Sequence, residues 1–225
     1  MSPTSTMGAN EQVVHVSAGP VTLEGNLSLP VDARGLVLFA HGSGSSRHSP
    51  RNRHVAKRLN DANLATLLID LLTAEEEPID QVTAELRFNL ELLSNRLIHA
   101  TDWLAASGDT STLRLGYFGS STGAGAALMA AAERPDQAAA VVSRGGRPDL
   151  AAAALPRVRA PTLLVVGGAD TQVIALNRSA LAALHCEKKL AIVPGATHLF
   201  EEPGALDQVA DLAIQWFLSH LTPTA

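Results

Sequence analysis

Six short apolar runs follow one another after Pro30, each closed by glycine or an acidic residue: GLVLFAHG, LATLLID, LRLGYFG, AAVVSRGG, PTLLVVGGAD and KLAIVPG. A run that is apolar throughout, with no alternation, belongs in a strand buried on both faces. Between the runs lie stretches with helical spacing, at about residues 50–63, 78–107, 121–134, 171–185 and 205–221. The longest carries Val82, Leu86, Leu90, Leu93, Leu97 and Leu104 at that spacing, with Glu75, Glu76 and Glu77 as a solvated acidic cap ahead of it. Upstream, VVHVSAG and VTLEGNLSLP alternate as a strand pair joined near Gly19-Pro20. Strands alternating with helices predict an α/β fold, a mostly parallel sheet of about seven or eight strands with helices on both faces. Residues 1–11 read as a disordered tail. With no repeat, linker or composition shift, residues 12–221 read as a single domain.

Composition narrows the partners. The 225 residues are 46% hydrophobic and 17% charged, enough to bury a substantial core. A net charge of −5 without any basic run speaks against a nucleic-acid or anionic-membrane surface. Cys186 is the only cysteine, so no intrachain disulfide forms, and it reads as a small apolar residue. The N-terminus MSPTSTMGANEQ lacks the basic and apolar regions of a signal peptide, and no apolar run approaches the ~20 residues of a membrane span. The expectation is a soluble, cytoplasmic protein of undefined oligomeric state.

The chemistry concentrates in LRLGYFGSSTGAG, where an apolar run ends in Gly119-Ser120-Ser121-Thr122-Gly123. This is a G-x-S-x-G pattern, a strand-to-helix elbow whose central hydroxyl is pushed out at the end of a sheet. A Cβ at Gly119 or Gly123 would collide with the neighbouring strand or helix start. Ser121 is therefore the candidate nucleophile and Ser120 its spectator; the Ala-rich AGAALMAAAER supplies the helix that follows.

A serine hydroxyl is scarcely ionised at neutral pH, so it needs a histidine base, and the base needs an orienting carboxylate. Both belong on loops at the carboxyl ends of strands. Asp170 ends PTLLVVGGAD, and His198 lies in VPGATHLFEEPG. Asp170 has a second reading as the cap of the next helix, with Asp149 as the substitute acid. His198 has a second reading as a loop residue packed on Phe200. A tetrahedral intermediate also needs two backbone donors for its oxyanion. One is the N–H of Thr122. The other comes from HGSGSS at 41–46, at Ser43 or, alternatively, Gly42, while His41 reads as an anchor of that loop or a substrate contact.

Laid out in this order, Ser121, Asp170 and His198 resemble the α/β-hydrolase superfamily over about residues 12–221, and most closely its dienelactone-hydrolase-like branch. FAHGSGSS, GYFGSSTGAGAAL, VVGGAD and PGATHLFEEPG carry the likeness. The resemblance implies hydrolysis of esters or lactones without a cofactor or metal. Ser121 stands where dienelactone hydrolase proper has cysteine, which favours a general carboxylesterase. The short segment between VVSRGG and PTLLVV leaves no or minimal room for a lid, which suits small or short-acyl esters.

Arg144 and Arg147 flank Gly145-Gly146 at a strand end, and Arg47 or Arg51 follows the oxyanion loop. A guanidinium there binds an anionic substrate group or merely ties loops together. The expected activity is a Ser-His-Asp ester hydrolase forming an acyl-enzyme. Thioester or amide hydrolysis, acyl transfer or perhydrolysis would use the same residues, and a non-catalytic ligand-binding domain is the reading from another class.

Overall fold

The computed structural model describes residues 10–222. The elements are β1 (Asn10–Ala18), β2 (Val21–Leu29), β3 (Leu36–Ala40), α1 (Pro50–Asp61), β4 (Ala65–Ile69), α2 (Glu76–Thr83), α3 (Leu90–Ala106), β5 (Leu115–Ser120), α4 (Thr122–Glu133), β6 (Ala138–Arg144), β7 (Thr162–Gly167), α5 (Thr171–Ala183), β8 (Lys188–Val193) and α6 (Ala205–Leu221). The strands form an eight-stranded sheet in the order β1-β2-β4-β3-β5-β6-β7-β8. From β4 to β8 every pairing is parallel; only the β1-β2 hairpin and its junction with β4 are antiparallel.

The apolar runs are buried on both faces, as their lack of alternation requires. Along β3, Leu36, Leu38 and Ala40 enter one core with Leu97 of α3, Leu128 of α4 and Ala180 of α5. Val37 and Phe39 enter the other, with Leu59 of α1 and Phe217 of α6. KLAIVPG is the exception. It forms the edge strand β8, where Lys188 and Lys189 are exposed, and charged side chains on an edge discourage pairing with another chain.

Two expected boundaries change. Asn10 and Glu11, placed by the sequence in a tail over residues 1–11, belong to β1, because Asn10 pairs with Leu29 and Glu11 with Ser28. The Glu11 carboxylate also accepts from Asn26 Nδ2 at 2.6 Å, which fixes the strand start; residues 1–9 lie outside the described residues. The long helix expected over 78–107 is two helices. Asp80, buried on α2, accepts from the backbone N–H of Leu86 at 2.8 Å and of Arg87 at 3.0 Å, and so competes for donors a continuous helix would use. Ala84 closes α2 in the left-handed conformation, and Asn89 starts α3 afresh by accepting from Leu92 N–H. Glu76, part of the expected solvated cap, is instead tied to Arg96 of α3 by two hydrogen bonds of 2.6 and 2.7 Å.

The strand order reverses at β3, which lies between β4 and β5. The chain leaves β3 for α1 on one face and leaves β5 for α4 on the other. The carboxyl ends of β3 and β5 therefore open a crevice between diverging loops, the position at which open α/β sheets place ligands.

Candidate active site

The crevice is closed at its base by the elbow. An added Cβ at Gly119 would lie 2.4 Å from Ala124 Cα, and one at Gly123 would lie 2.3 Å from the Ala40 carbonyl oxygen. Only glycine lets β5 turn into α4 this closely against β3. Ser121 takes φ 50° and ψ −121°, a conformation that costs an L-residue on the order of 1–3 kcal/mol. The turn is held from β6 and the loop beyond it: Ser121 N–H donates to the Arg144 carbonyl at 3.3 Å, and Arg147 N–H donates to the Ser121 carbonyl at 3.0 Å. Ser120 is buried, with its hydroxyl donating to Asn52 Oδ1 at 3.1 Å.

The two carboxylate oxygens of Asp170 have separate partners. One carboxylate oxygen caps α5 by accepting from Val173 N–H at 3.4 Å. The other lies 2.7 Å from His198 Nδ1. Asp149 is instead paired with Arg147 through contacts of 2.9 and 2.8 Å. The histidine loop is seated on β7, where a Cβ at Gly167 would stand 2.3 Å from the Ala196 carbonyl oxygen. Ala169 N–H donates to that same oxygen at 2.9 Å. Phe200 plugs the core just beyond and holds a left-handed backbone at φ 56°.

Ser121 and His198 line one cavity of about 260 Å³ with Gly42, Ser43, Arg51 and Arg144. The serine hydroxyl makes no hydrogen bond to the imidazole in this resting geometry, a looseness common before substrate arrives. A larger hollow, near 450 Å³, lies at the amino ends of the strands around Leu36, Leu115 and Ala138. It has neither the serine nor the histidine on its walls, so size does not locate the chemistry here.

The loop after β3 is tied across the crevice. Ser43 N–H, the expected second oxyanion donor, donates to Thr122 Oγ1 at 2.9 Å. Thr122 is the first residue of α4, where a backbone N–H has no partner within the helix. Gly42 passes close by, since an added Cβ would lie 3.1 Å from Ser121 Cβ. His41 is an anchor: its Nδ1 lies 2.9 Å from the Gly42 carbonyl, and its Nε2 accepts from Leu71 N–H at 2.9 Å. Burial pushes its pKa below the ordinary 6.5. Among the described residues, no group of three or more His, Cys, Asp or Glu side chains is placed to hold a metal ion. No helix among them is long and apolar enough to cross a membrane.

Dienelactone hydrolases as a family match residues 25–217 of this chain. The chain belongs to the dienelactone hydrolase family. Its structure is similar to that of a dienelactone hydrolase from Anabaena variabilis, with 63% identity, a TM-score of 0.94 and coverage of 95% of this chain and 99% of that one. The esterase domain of a Rhodothermus marinus protein shares the α/β-hydrolase fold, at 19% identity, a TM-score of 0.74 and coverage of 94% and 99%. Two strains of Mycobacterium tuberculosis have relatives named putative phosphoribosyl transferase, 58% identical over 211 residues that make up 94% of this chain. The chain spans about half the length of those curated relatives, 47%.

Within this dienelactone hydrolase family member, the two glycine-flanked arginines part company. Arg147 is held by Asp149 and does not line the Ser121 cavity. Arg144 does line it, only 7% exposed, with Nε and Nη1 buried and without a hydrogen-bond partner. Burial, and then the neighbouring charge of Arg51, bring its pKa down to about 10, so it stays a cation at neutral pH. Two features escaped sequence reasoning. The Ser43–Thr122 bond joins residues 79 positions apart and has no local signature. The contrast between Arg144 and Arg147 depends on which carboxylate each meets, although the Arg147-x-Asp149 spacing hinted at a local pair.

Proposed function

We propose that this chain is a serine hydrolase of small or short-acyl carboxylic esters, lactones among them. The observation that carries the reading is the 2.7 Å contact of His198 Nδ1 with Asp170, with His198 and Ser121 on the walls of one cavity. In this reading Asp170 keeps a proton on Nδ1, so that Nε2 is the basic nitrogen. As Ser121 Oγ attacks the ester carbonyl, its proton passes to His198 Nε2. The oxyanion is met by the N–H of Thr122 and by Ser43 N–H once that donor leaves the Thr122 hydroxyl. Collapse of the intermediate expels the alcohol, protonated by His198. Water, deprotonated by His198, then cleaves the acyl-enzyme and returns the proton to serine. Family membership and the unlidded crevice support small substrates: β6 and β7 are joined only by the short turns Pro148–Ala151 and Leu155–Arg157.

The name of the curated relatives points to phosphoribosyl transfer, which we assign to the half of those proteins that this chain does not span, because the family match runs from residue 25 to residue 217 here. The test is labelling by a fluorophosphonate probe together with p-nitrophenyl acetate hydrolysis. The expected result is a single adduct on Ser121 and turnover that disappears in Ser121→Ala. An unlabelled, folded protein would sink the reading.

A further inference from the structure

We propose that the cavity beside Ser121 contains a phosphate subsite, in which the guanidiniums of Arg144 and Arg51 hold the phosphate of a small phosphate-bearing ester while its carbonyl meets the serine. The proposal rests on the serine-hydrolase reading for the reaction, but the subsite itself can be tested without turnover.

The starting observation is a cation with nothing to neutralise it. The other arginines with buried or partly buried heads near this edge of the sheet all have a carboxylate: Arg47 has Asp70 and Glu24, Arg87 has Asp80, Arg96 has Glu76 and Arg147 has Asp149. Arg144 is among the most buried of them and forms no salt bridge among the described residues. A buried guanidinium with two unpartnered nitrogens is unfavourable unless something else supplies the acceptor. Arg144 projects from the end of β6 in register with Ser120, one residue from the nucleophile.

Arg51 approaches from a different element, the first turn of α1. Its Nε is likewise buried without a partner, and among the described residues its only carboxylate contact is to the exposed Glu201 at 3.2 Å. The first turn of α1 contains no acidic residue, so the positive end of that helix adds to the two side chains instead of being offset. Ser49 caps α1 by accepting from Asn52 N–H at 3.4 Å, which leaves its O–H able to donate into the cavity it lines. In a protein of net charge −5, the positive charge at the candidate nucleophile is local: Arg51 shares the exposed Glu201, and Arg144 has no carboxylate among the described residues.

Shape chooses phosphate over carboxylate. One guanidinium fork already matches the planar geometry of a carboxylate, with both of its oxygens met in a single plane. Two guanidiniums arriving from a strand end and a helix start, with a hydroxyl beside them, surround a tetrahedral group. A phosphate monoester offers three acceptor oxygens and nearly two negative charges to match them. No bond to phosphorus is made or broken: the phosphate is a handle, and the ester carbonyl reacts as before.

The test titrates inorganic phosphate, and separately acetate, into the protein at fixed ionic strength by calorimetry. The expected result is one phosphate per chain, bound at least tenfold tighter than acetate, with Arg51→Gln weakening it at least tenfold. Arg144→Lys should weaken it as well; if that variant does not fold, the partly exposed Arg51 still decides the matter. Phosphate should also slow fluorophosphonate labelling of Ser121, and kcat/KM for 1-acetylglycerol 3-phosphate should exceed that for 1-acetylglycerol at least tenfold, a ratio that collapses in Arg51→Gln. Acetate binding as tightly as phosphate overturns the choice of ligand. Phosphate binding unchanged in Arg51→Gln overturns the subsite. Phosphate binding to a protein that fluorophosphonate never labels upholds the subsite and overturns the hydrolase reading, so the two failures are distinguishable.

Discussion

The backbone N–H of Ser43 donates to the hydroxyl of Thr122 at 2.9 Å, tying the loop after β3 to the start of α4 across the crevice. A hydrogen bond to an ionised acceptor is roughly twice as strong as one between neutral groups, so a developing oxyanion outcompetes the threonine hydroxyl for this donor. Exchange nevertheless gives up a neutral bond of about 0.5–1.5 kcal/mol. Thr122→Val removes the competitor. The expected outcome is a loss of about 1 kcal/mol in stability, read by urea denaturation, with kcat/KM raised roughly two- to tenfold. A hundredfold drop in a folded variant would show that the hydroxyl positions the loop for catalysis.

Ser121→Ala is expected to abolish ester hydrolysis, whereas Ser120→Ala retains most of it. Both serines border the cavity, but Ser121 holds the strained centre of the elbow, whereas the Ser120 hydroxyl is committed to Asn52. Steady-state kinetics on p-nitrophenyl acetate, with circular dichroism to confirm folding, decides between them. Equal loss in both folded variants rejects the assignment of the nucleophile.

Asp170 allows its two roles to be separated. Asp170→Asn keeps a side-chain oxygen for the α5 cap but no longer holds His198 as an anion, so kcat should fall by several decades, on the order of 10³–10⁶, with little change in stability. Asp170→Ala should lose the activity and, in addition, about 1 kcal/mol of stability from the missing cap. His198→Ala should match the kinetic loss. If Asp149→Asn proves the damaging change instead, the carboxylate assignment is wrong.

Chain-length dependence follows from the open crevice. Each methylene buried contributes about 0.8 kcal/mol, and a cavity of about 260 Å³ that also holds two arginines buries few of them. Across p-nitrophenyl esters from acetate to palmitate, kcat/KM should peak at hexanoate or shorter, with no jump above the solubility limit. A maximum at decanoate or longer would reveal an apolar channel.

His41 should make stability depend on pH. Burial disfavours the charged ring, so its pKa in the folded state lies below the unfolded value of 6.5, and its Nε2 accepts from Leu71 N–H as a neutral imidazole. Below pH 6.5 the unfolded chain therefore takes up a proton that the folded chain refuses, and stability declines as pH falls towards the folded pKa; above 6.5 the contribution is complete. Denaturation midpoints between pH 5 and 8 should show this slope in the wild type and a smaller one in His41→Gln. Identical slopes would remove His41 from the account.

What the sequence determined by itself was local. Unbroken apolar runs dictate strands buried on two faces, and the two glycines around Ser121 dictate a turn that a Cβ would block, because both depend on residues within a few positions of one another. The order Ser121, Asp170, His198 at strand ends was legible for the same reason. Tertiary structure decided whatever depends on a partner arriving from elsewhere. Helix 78–107 breaks because the buried Asp80 carboxylate is more stable capturing the donors of Leu86 and Arg87 than left unpaired. KLAIVPG lies at the sheet edge because the crossover from β7 adds it outside the last covered strand. Arg144 and Arg147 are identical side chains three residues apart, yet one meets a carboxylate and the other is enclosed without one. Charge in a sequence is a property of the residue, but its neutralisation is a property of the neighbours that folding supplies.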